Sequence, residues 1–344
     1  MRRVESVDVF RLIAIIAVIA IHTQPFRGHA GEPESWKLLS ILIDQLARFA
    51  VPFFFVISGF FWGVKVNSGA DISAVSSAMA KRIFSLFVIW SIIYLLPYNL
   101  TTIPGLGLLG PIKYNYWVIA SAAEKSPLNL LMTGTKAHLW FLFALLCALG
   151  INSVFIKQKF HKALIAVSLA LYLFGLAAKA YANTPVGVDT AIDTINGPFF
   201  GTIFFATGYF LSRLSPNPGW LLKGFGLWVI GCLVHFSEIY FLRASYDASP
   251  YQDYVIGTYF MGLGAAMIAL SNIAFFRIRA LEDLGKFTLG IYAIHFIFVD
   301  LLRPLGKLTN SAFWEIGYVF LVLLLSIGSV MLLSKFRITR QAVM

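Results

Sequence analysis

Ten long apolar segments, separated by shorter polar stretches, run along this 344-residue chain. Most are continuously apolar over roughly twenty residues, the length that an α-helix needs to cross the ~30 Å hydrocarbon core of a bilayer. The strands of a membrane barrel would instead alternate apolar and polar positions over about ten residues. The pattern predicts an all-α integral membrane protein, a bundle of about ten transmembrane helices. The segments are 8–24, 38–64, 82–98, 138–156, 163–181, 197–212, 219–236, 254–275, 287–303 and 312–334.

The amino-acid composition supports this prediction and does not indicate a soluble domain. The chain is 59% hydrophobic and only 12% charged, whereas soluble domains carry about 25% charged residues. We therefore expect a single transmembrane domain over residues 1–344, embedded in the lipid bilayer, with no appended soluble domain. The two cysteines, Cys147 and Cys232, lie inside apolar segments. Buried free thiols are predicted there, with neither a disulfide framework nor a metal site.

The net charge of +11 carries information about topology. Of the 27 lysines and arginines, 17 fall on the side that holds both chain termini and 9 on the opposite side, while Arg48 lies within a segment. Cytoplasmic loops of membrane proteins carry an excess of such residues. Both termini are therefore predicted to be cytoplasmic, and we expect no nucleic-acid partner.

The amino-terminal segment has a competing interpretation as a cleaved signal peptide. Arg2 and Arg3 precede the apolar run, and residues 28–30 form a small-x-small cleavage pattern. Asp8 and Arg11 interrupt the run, however, and further membrane segments follow it directly. Cleavage would remove the polar residues of the first segment from the mature protein.

Those polar residues are Arg11 and His22, which lie at opposite ends of an apolar run. Eleven helical residues separate them by roughly 16 Å and bring them within about 20° of the same helix face. Both groups are costly when they face lipid. The first helix therefore predicts an internal polar site that extends along one of its faces.

The second segment carries Asp44 and Arg48 four residues apart, so they can meet on one helix face. They form either a structural ion pair or a site beside His22, in which Asp44 orients the imidazole. Further along, Pro52 removes a backbone donor, and Ser58 with Gly59 permits a kink or the close approach of a helix or ligand.

Two later segments add candidate binding residues. His138 and Trp140 open the fourth segment, and Tyr292 and His295 lie in the middle of the ninth. A single membrane histidine is often only a hydrogen-bonded helix contact. Three histidines at compatible depths also predict a shared site, for which no paired metal-ligand spacing is present.

Basic side chains gather at the predicted cytoplasmic ends of the segments. Arg82 lies at the third segment, and Arg277, Arg279 and Lys286 lie in the loop before the ninth. Guanidinium and ammonium groups suit a phosphorylated ligand. The positive-inside bias and contact with lipid headgroups explain the same charges without a ligand.

The two longest loops on the opposite side are rich in aromatic residues. Residues 99–137 begin with glycine and proline and then carry tyrosine and tryptophan, and residues 237–253 mix tyrosine with acidic groups. The first is long enough for an interfacial or re-entrant piece. Aromatic and acidic surfaces suit sugars, and an aromatic interfacial belt explains the same rings.

Taken in order, several stretches resemble the membrane acyltransferase-3 family, which includes bacterial O-acetyltransferases of surface polysaccharides such as O-antigen. The stretches span nearly the whole chain: Asp8–Arg11 with His22, Arg48–Phe60, Lys81–Arg82, His138–Leu145, Phe204–Arg213 and Gly290–His295. The resemblance implies about ten helices with cytoplasmic termini in the inner (cytoplasmic) membrane. It also implies transfer of an acyl group, usually acetyl, from cytoplasmic acyl-CoA (acetyl-CoA) to a hydroxyl of a glycan or its lipid-linked precursor.

The resemblance implies that His22 and Arg11 are the essential residues of an Arg-x10-His pattern. Many members continue the arginine with glycine, where this chain has Leu12, and the fused esterase-like domain of some members has no counterpart. His22 would act as general base or carry the acyl group itself. Arg48 and His138 would stabilise the oxyanion or hold the acceptor.

The remaining expectations concern the two substrates. The CoA nucleotide would lie near Arg82, Arg277, Arg279 or Lys286, with Arg11 and Ser58 farther along its arm. Trp140, Tyr292 and His295 would contact the acceptor. A membrane transporter or carrier that uses the same polar residues as a substrate path, or a non-catalytic scaffold, are the alternatives.

Overall fold

A computed structural model describes residues 4–28, 33–96, 110–276, 278–306 and 311–343, and these residues contain helices and no strand. Two 3₁₀ turns, Ala137–Leu139 and Ala274–Phe276, join helices. The α-helices are α1 Glu5–Thr23, α2 Glu34–Ala47, α3 Ala50–Asn67, α4 Ile72–Ile93, α5 Gly110–Lys125, α6 Pro127–Thr133, α7 Trp140–Lys157, α8 His161–Ala177, α9 Pro198–Leu211, α10 Trp220–Tyr246, α11 Ile256–Leu270, α12 Arg279–Gly285, α13 Thr288–Gly306, α14 Ala312–Leu333 and α15 Arg337–Val343.

The all-helical architecture is confirmed for the described residues. Within the described residues, seven helical stretches are long and apolar enough to cross a bilayer: α1, α2 with α3, α4, α7, α10, α13 and α14. Three shorter apolar helices, α8, α9 and α11, accompany them. Each predicted segment overlaps one of these helices or, for 38–64, the pair α2 and α3. The count of ten spans and the orientation of the termini stay predictions.

The predicted segment 38–64 is two helices in the structure. Residues Glu34–Asn67 together would make a straight helix of about 51 Å, longer than the ~30 Å hydrocarbon core. The helix breaks at Arg48 and Phe49, before Pro52, which the first turn of α3 accommodates because its missing N–H has no helical acceptor there. The expected kink is therefore a break that lies at the arginine.

Glycines bring α3 directly against α9. A Cβ atom at Gly59 would lie 2.1 Å from the backbone oxygen of Phe205, and one at Gly208 would lie 2.0 Å from that of Val56. Such contacts leave no room for a side chain, so the backbones approach as closely as small residues permit. The close approach predicted at Ser58 and Gly59 is thus that of a neighbouring helix.

Two predicted boundaries were wrong. α4 begins at Ile72, ten residues before the predicted start, because the Asp71 side chain caps it by accepting a hydrogen bond from the backbone N–H of Ala74 at 2.7 Å. Arg82 therefore lies inside a helix and not at its beginning. α10 continues to Tyr246, so Glu238 and Arg243 of the predicted loop 237–253 lie on a helix.

The loop predicted over 99–137 contains two helices, α5 and α6. Its first part, including the glycine- and proline-rich start, lies outside the described residues.

The helices alternate in direction, which separates two ends of the bundle. At one end, called the Arg11 end, Lys157 at the close of α7 donates to Ser73 near the start of α4 at 2.8 Å. At the other, called the His22 end, Arg48 contacts Asp253, which precedes α11. The charge distribution predicts that the Arg11 end is cytoplasmic.

Candidate functional site

Three histidines from distant parts of the chain meet at the His22 end. His22 closes α1, His138 lies in the turn before α7, and His295 lies in α13. The centroid of the His22 ring lies 5.3 Å from that of His295 and 6.4 Å from that of His138, and the latter two are 5.1 Å apart. The three histidines that were predicted to lie at compatible depths therefore form one cluster of imidazoles.

The three rings differ in accessibility. His138 and His295 are 1% and 0% exposed, whereas His22 is half-buried. Phe296 lies against all three rings, with its centroid 4.8 Å from those of His22 and His138. A small molecule that reaches this cluster would therefore meet His22 first.

Backbone hydrogen bonds hold the two buried histidines. His138 Nε2 lies 3.3 Å from the carbonyl oxygen of Ala293, and His295 Nδ1 lies 2.6 Å from that of Tyr292. The Tyr292 hydroxyl donates in turn to the carbonyl oxygen of His138. Tyr292 thus lies at the cluster, where its hydroxyl ties α13 to the turn before α7. Trp140 turns toward α9, with its ring centroid 5.9 Å from that of Phe200.

Arg48 is the centre of an ion-pair network beside the cluster. Its guanidinium donates to both carboxylate oxygens of Asp44, at 2.9 and 3.1 Å, and to Asp253 at 2.8 Å. Lys179 contacts the other Asp253 oxygen at 2.8 Å. The charges of Arg48 and Asp253 also act on the His22 ring. The predicted ion pair of Asp44 and Arg48 is confirmed, and the Asp44 carboxylate faces Arg48 and Gln45.

Charges set the ionisation of the two network residues that lie in loops. Burial opposes ionisation of Asp253, but Arg48 and Lys179 outweigh it and lower the pKa of that carboxyl below its ordinary value. Burial likewise opposes the charge on Lys179, and Asp253 with Asp193 outweighs it and raises the pKa of that ammonium. Both groups are therefore held in their charged forms.

A second network lies behind the first and is fully buried. Gln45 Nε2 donates to Asp44 at 2.6 Å, while Gln45 Oε1 lies 2.9 Å from Nε2 of His235. His235 Nδ1 lies 3.1 Å from the Thr258 hydroxyl. Sequence reasoning missed His235. The signal available was a histidine inside the apolar segment 219–236, with no partner identifiable nearby in sequence.

The sequence also did not indicate that Lys136 lies at the site. Its ammonium pairs with Asp300, which is 8% exposed, and lies 4.8 Å from the centroid of the Phe296 ring. Arg303 donates to the carbonyl oxygen of His22 at 3.4 Å. Two cationic side chains therefore border the histidine cluster in addition to Arg48.

Arg11 lies at the opposite end of α1, where its surroundings are more open. Its guanidinium pairs with Asp8 at 2.8 Å and lies 5.5 Å from the centroid of the Phe61 ring. Ser58 lies one turn before Phe61 on α3, and both side chains are half-buried. On the α1 face between Arg11 and His22, Ile15 and Val18 are 0% and 3% exposed. Apolar packing thus separates the two ends of the site.

A cavity of about 420 Å³ opens at the Arg11 end. It is lined by apolar side chains and by the polar groups of Ser212, Asn217, Ser271 and Asn272. Val4, the residue before α1, also lines it. The cavity therefore lies at the Arg11 end, which is predicted to face the cytoplasm.

The structure describes two of the four basic side chains that were predicted to bind the CoA nucleotide. Arg82 is exposed on α4, and Lys286 is exposed after α12 with its ammonium 3.6 Å from Asp283. Arg277 and the side chain of Arg279 lie outside the described residues. In the described part of the chain, no group of three histidine, cysteine, aspartate or glutamate side chains is arranged to hold a metal ion.

Comparison with curated proteins finds relatives named for another activity. An amino-acid racemase of Enterococcus faecalis is 27% identical over 224 residues, 62% of this chain and 28% of the relative. A serine/alanine racemase of Enterococcus gallinarum is 30% identical over 223 residues, 61% of this chain and 29% of the relative. This chain therefore spans less than a third of the length of these relatives. No solved structure matches.

Comparison with protein families gives a match of much wider extent. It covers residues 4–335, and the matching family is described as an acyltransferase domain. That range includes Arg11, the three clustered histidines and the Arg48 network. The chain belongs to the acyltransferase-3 family.

Proposed function

We propose that this membrane acyltransferase is an O-acyltransferase of the inner (cytoplasmic) membrane. It takes an acyl group, acetyl in the first instance, from cytoplasmic acyl-CoA at the Arg11 end. It delivers that group to a hydroxyl of a cell-surface glycan, or of its lipid-linked precursor, at the His22 end.

One observation carries the proposal: a half-buried imidazole and a half-buried guanidinium lie on the same face of α1, at opposite ends. The imidazole of His22 is the least buried of the three clustered imidazoles, so a substrate hydroxyl can come within hydrogen-bond reach of it, as proton transfer requires. The guanidinium of Arg11 lies at the same end of the bundle as a cavity with four polar lining residues, the end predicted to be cytoplasmic. A thin, extended donor such as the pantetheine arm suits the roughly 16 Å between them.

The chemistry assigned to His22 is proton transfer or acyl transfer. As general base, its bare nitrogen takes the proton of the acceptor hydroxyl while that oxygen attacks the thioester carbonyl carbon. The C–S bond breaks, an ester C–O bond forms, and the proton passes from the imidazole to the departing thiolate. As acyl carrier, the imidazole nitrogen attacks the thioester carbonyl carbon, the C–S bond breaks and CoA leaves as a thiolate. The acceptor hydroxyl then attacks the acyl-imidazole, an ester C–O bond forms as the C–N bond breaks, and the hydroxyl proton ends on the thiolate.

Arg48 is the proposed stabiliser of the oxyanion that develops on the thioester carbonyl. Its guanidinium is held by Asp44 and Asp253, so its position requires little rearrangement during the reaction. Arg82 and Lys286, with Arg277 and Arg279, are proposed contacts for the CoA phosphates at the Arg11 end.

The test uses purified protein in lipid nanodiscs with radiolabelled acetyl-CoA. We expect acetyl-CoA to bind, Arg11→Ala to weaken that binding, and His22→Ala to retain it while reducing acyl transfer by about a hundredfold or more. His161→Ala, which changes a histidine remote from the cluster, and Arg243→Ala are the matched controls and should behave as wild type. Mass analysis of surface glycans from cells with and without the protein reports the transfer. Full activity in His22→Ala would contradict the proposal.

A carrier for a small amino acid is the second candidate function. It is favoured by the similarity of 62% of this chain to a protein named for amino-acid racemisation, and of 61% to one named for serine and alanine. In a carrier, the buried polar groups of the His22 end would line a substrate path. Uptake of radiolabelled serine or alanine by proteoliposomes without acyl-CoA would support it. Arg11-dependent binding of acetyl-CoA would support the acyltransferase instead.

A further inference from the structure

Two buried imidazole nitrogens in the histidine cluster have no hydrogen-bond partner among the described residues. They are Nδ1 of His138 and Nε2 of His295. Both side chains are almost fully buried, and their rings lie 5.1 Å apart beside His22. A buried polar atom without a partner is costly, and nearly all such atoms in native structures are satisfied by protein, water or ligand. Because both nitrogens belong to neighbouring rings of one cluster, the pair indicates a position where a ligand or a water molecule donates hydrogen bonds.

The opposite nitrogen of each ring fixes its tautomer. A carbonyl oxygen only accepts hydrogen bonds, so the nitrogen that faces it must carry the proton. His138 therefore has its proton on Nε2, facing Ala293, and His295 has its proton on Nδ1, facing Tyr292. A second proton on either ring would bury a charged group with an unpaired donor. Each of the two remaining nitrogens is thus a bare hydrogen-bond acceptor.

Two bare acceptors select the chemistry of their ligand. A carbonyl oxygen or an oxyanion offers no proton and would be repelled by their lone pairs. An ammonium group would donate, but two cations, Lys136 and Arg303, already lie at this cluster, and Asp300 pairs with the first of them. Hydroxyl groups donate without adding charge, and the two hydroxyls of a sugar diol offer one donor to each of these two neighbouring rings, whose centroids lie 5.1 Å apart.

We propose that His138 Nδ1 and His295 Nε2 form the acceptor-binding subsite, where each accepts a hydrogen bond from one of two adjacent sugar hydroxyls beside His22. This proposal rests on the proposed O-acyltransferase function and deepens it by naming the substrate class, a sugar with a free diol. It also separates two roles that were open for His138: a bare nitrogen binds an acceptor hydroxyl and cannot stabilise an oxyanion.

Two substitutions remove the bare nitrogen and keep the backbone hydrogen bond. The amide nitrogen of glutamine can replace His138 Nε2, and that of asparagine can replace His295 Nδ1. In His138→Gln and His295→Asn, we expect acetyl-CoA binding to be unchanged and the KM for the acceptor to rise about tenfold. His138→Phe and His295→Phe remove both ring nitrogens and therefore also the backbone hydrogen bond. These control variants should in addition give a lower yield of folded protein.

Nitrogen-15 magnetic resonance of histidine-labelled protein in lipid tests the subsite without any activity. We expect His138 and His295 to be in opposite neutral tautomers, and their bare-nitrogen signals to move when methyl glycosides with adjacent free hydroxyls are added. The matching dideoxy glycosides, which lack both hydroxyls, should leave the signals in place. The signals that disappear in His138→Gln and in His295→Asn identify the nitrogens of His138 and His295.

The proposal is overturned if the two rings share one tautomer, if either nitrogen carries a proton, or if no glycoside of the panel moves the signals. It is also overturned if the dideoxy glycosides move them equally. Failure of the acyltransferase function is distinguishable, because the protein would then respond to the glycosides and not bind acetyl-CoA.

Discussion

The two ends of α1 are built in different ways. At the His22 end, hydrogen bonds and ion pairs join residues that are far apart in sequence, such as Arg48 with Asp253 and Gln45 with His235. At the Arg11 end, the charged groups near the site pair with residues three positions away, as Arg11 does with Asp8 and Lys286 with Asp283. The ion pair of Arg48 with Asp44 is therefore buried and joined to a wider network, whereas the two ion pairs at the Arg11 end are local in sequence and more exposed.

This difference matches the tasks proposed for the two ends. Proton transfer and stabilisation of charge need groups that are already in position, because reorientation during the reaction costs rate. A charged nucleotide that arrives from water needs exposed cations and a cavity it can enter. The comparison predicts that substitutions at the His22 end change stability and chemistry, whereas those at the Arg11 end change donor affinity.

The largest effect is expected from Arg48→Met. Arg48 is 11% exposed, and its removal leaves the buried Asp44 carboxylate without its main partner. Breaking a buried ion pair by removing one partner typically costs about 3 kcal/mol or more. Thermal unfolding in detergent should therefore show a large loss of stability. Lys37→Met, which removes a loose and exposed pair with Glu34, is the control, and an equal loss in both variants would contradict the contrast between the ends.

A second substitution tests whether the donor passes along α1. Val18 lies on the face between Arg11 and His22 and is 3% exposed, whereas Ile13 points away from that face and is 41% exposed. A tryptophan at position 18 should obstruct the passage of a pantetheine arm and reduce acyl transfer by about tenfold or more, the effect of ~1.4 kcal/mol on the barrier. Ile13→Trp should leave transfer nearly unchanged.

The measurement for this pair is acyl transfer together with the yield of folded protein by size-exclusion chromatography. A tryptophan also overpacks position 18, which by itself destabilises. Val18→Leu provides a smaller increase and should reduce transfer less than Val18→Trp. Equal transfer in Val18→Trp and Ile13→Trp, both folded, would place the donor on another route.

Local patterns predicted a defined part of this architecture. Apolar length indicated the membrane helices, the eleven-residue spacing placed Arg11 and His22 on one face, and the four-residue spacing paired Asp44 with Arg48. Each of these depends only on helix geometry within one segment. The break at Arg48 was harder to predict from the sequence. The stretch that contains α2 and α3 is longer than the bilayer is thick, and Arg48 contacts a loop that is distant in sequence.

The rest of the site depends on which helices become neighbours, and one sequence contains little information about that. Asp253 lies 205 positions from Arg48, and His235 lies 190 positions from Gln45. A lone polar residue within an apolar segment, such as His235, signals that a partner exists but not which one. The tautomers of His138 and His295 depend on carbonyl groups that only the packed structure positions.

At the Arg11 end, Lys286→Glu should weaken acetyl-CoA binding by about threefold. Lys286 is half-exposed, and solvent screens such charges, so each contributes little. Lys162→Glu is the matched control, since it reverses an exposed lysine on α8 at the same predicted side. The readout is the Kd at low and moderate salt, and the difference between the two variants should shrink as salt rises. An identical change in both variants would indicate a general charge effect with no donor site near Lys286.

The smallest effect concerns the dependence of stability on pH. Arg48 and Lys179 outweigh burial and lower the pKa of Asp253, so the ionised carboxylate stabilises the folded protein above its unfolded pKa of about 3.9. That stabilisation is lost as the pH falls through the lower folded pKa. The difference in melting temperature between wild type and Asp253→Asn should therefore be constant from about pH 5 to 8 and shrink below about pH 4. In a Lys179→Met background one of the two cations is absent, so the same difference should be smaller and should disappear at a higher pH. A difference that does not change with pH would mean that Asp253 contributes to the His22 end through packing and not through its charge.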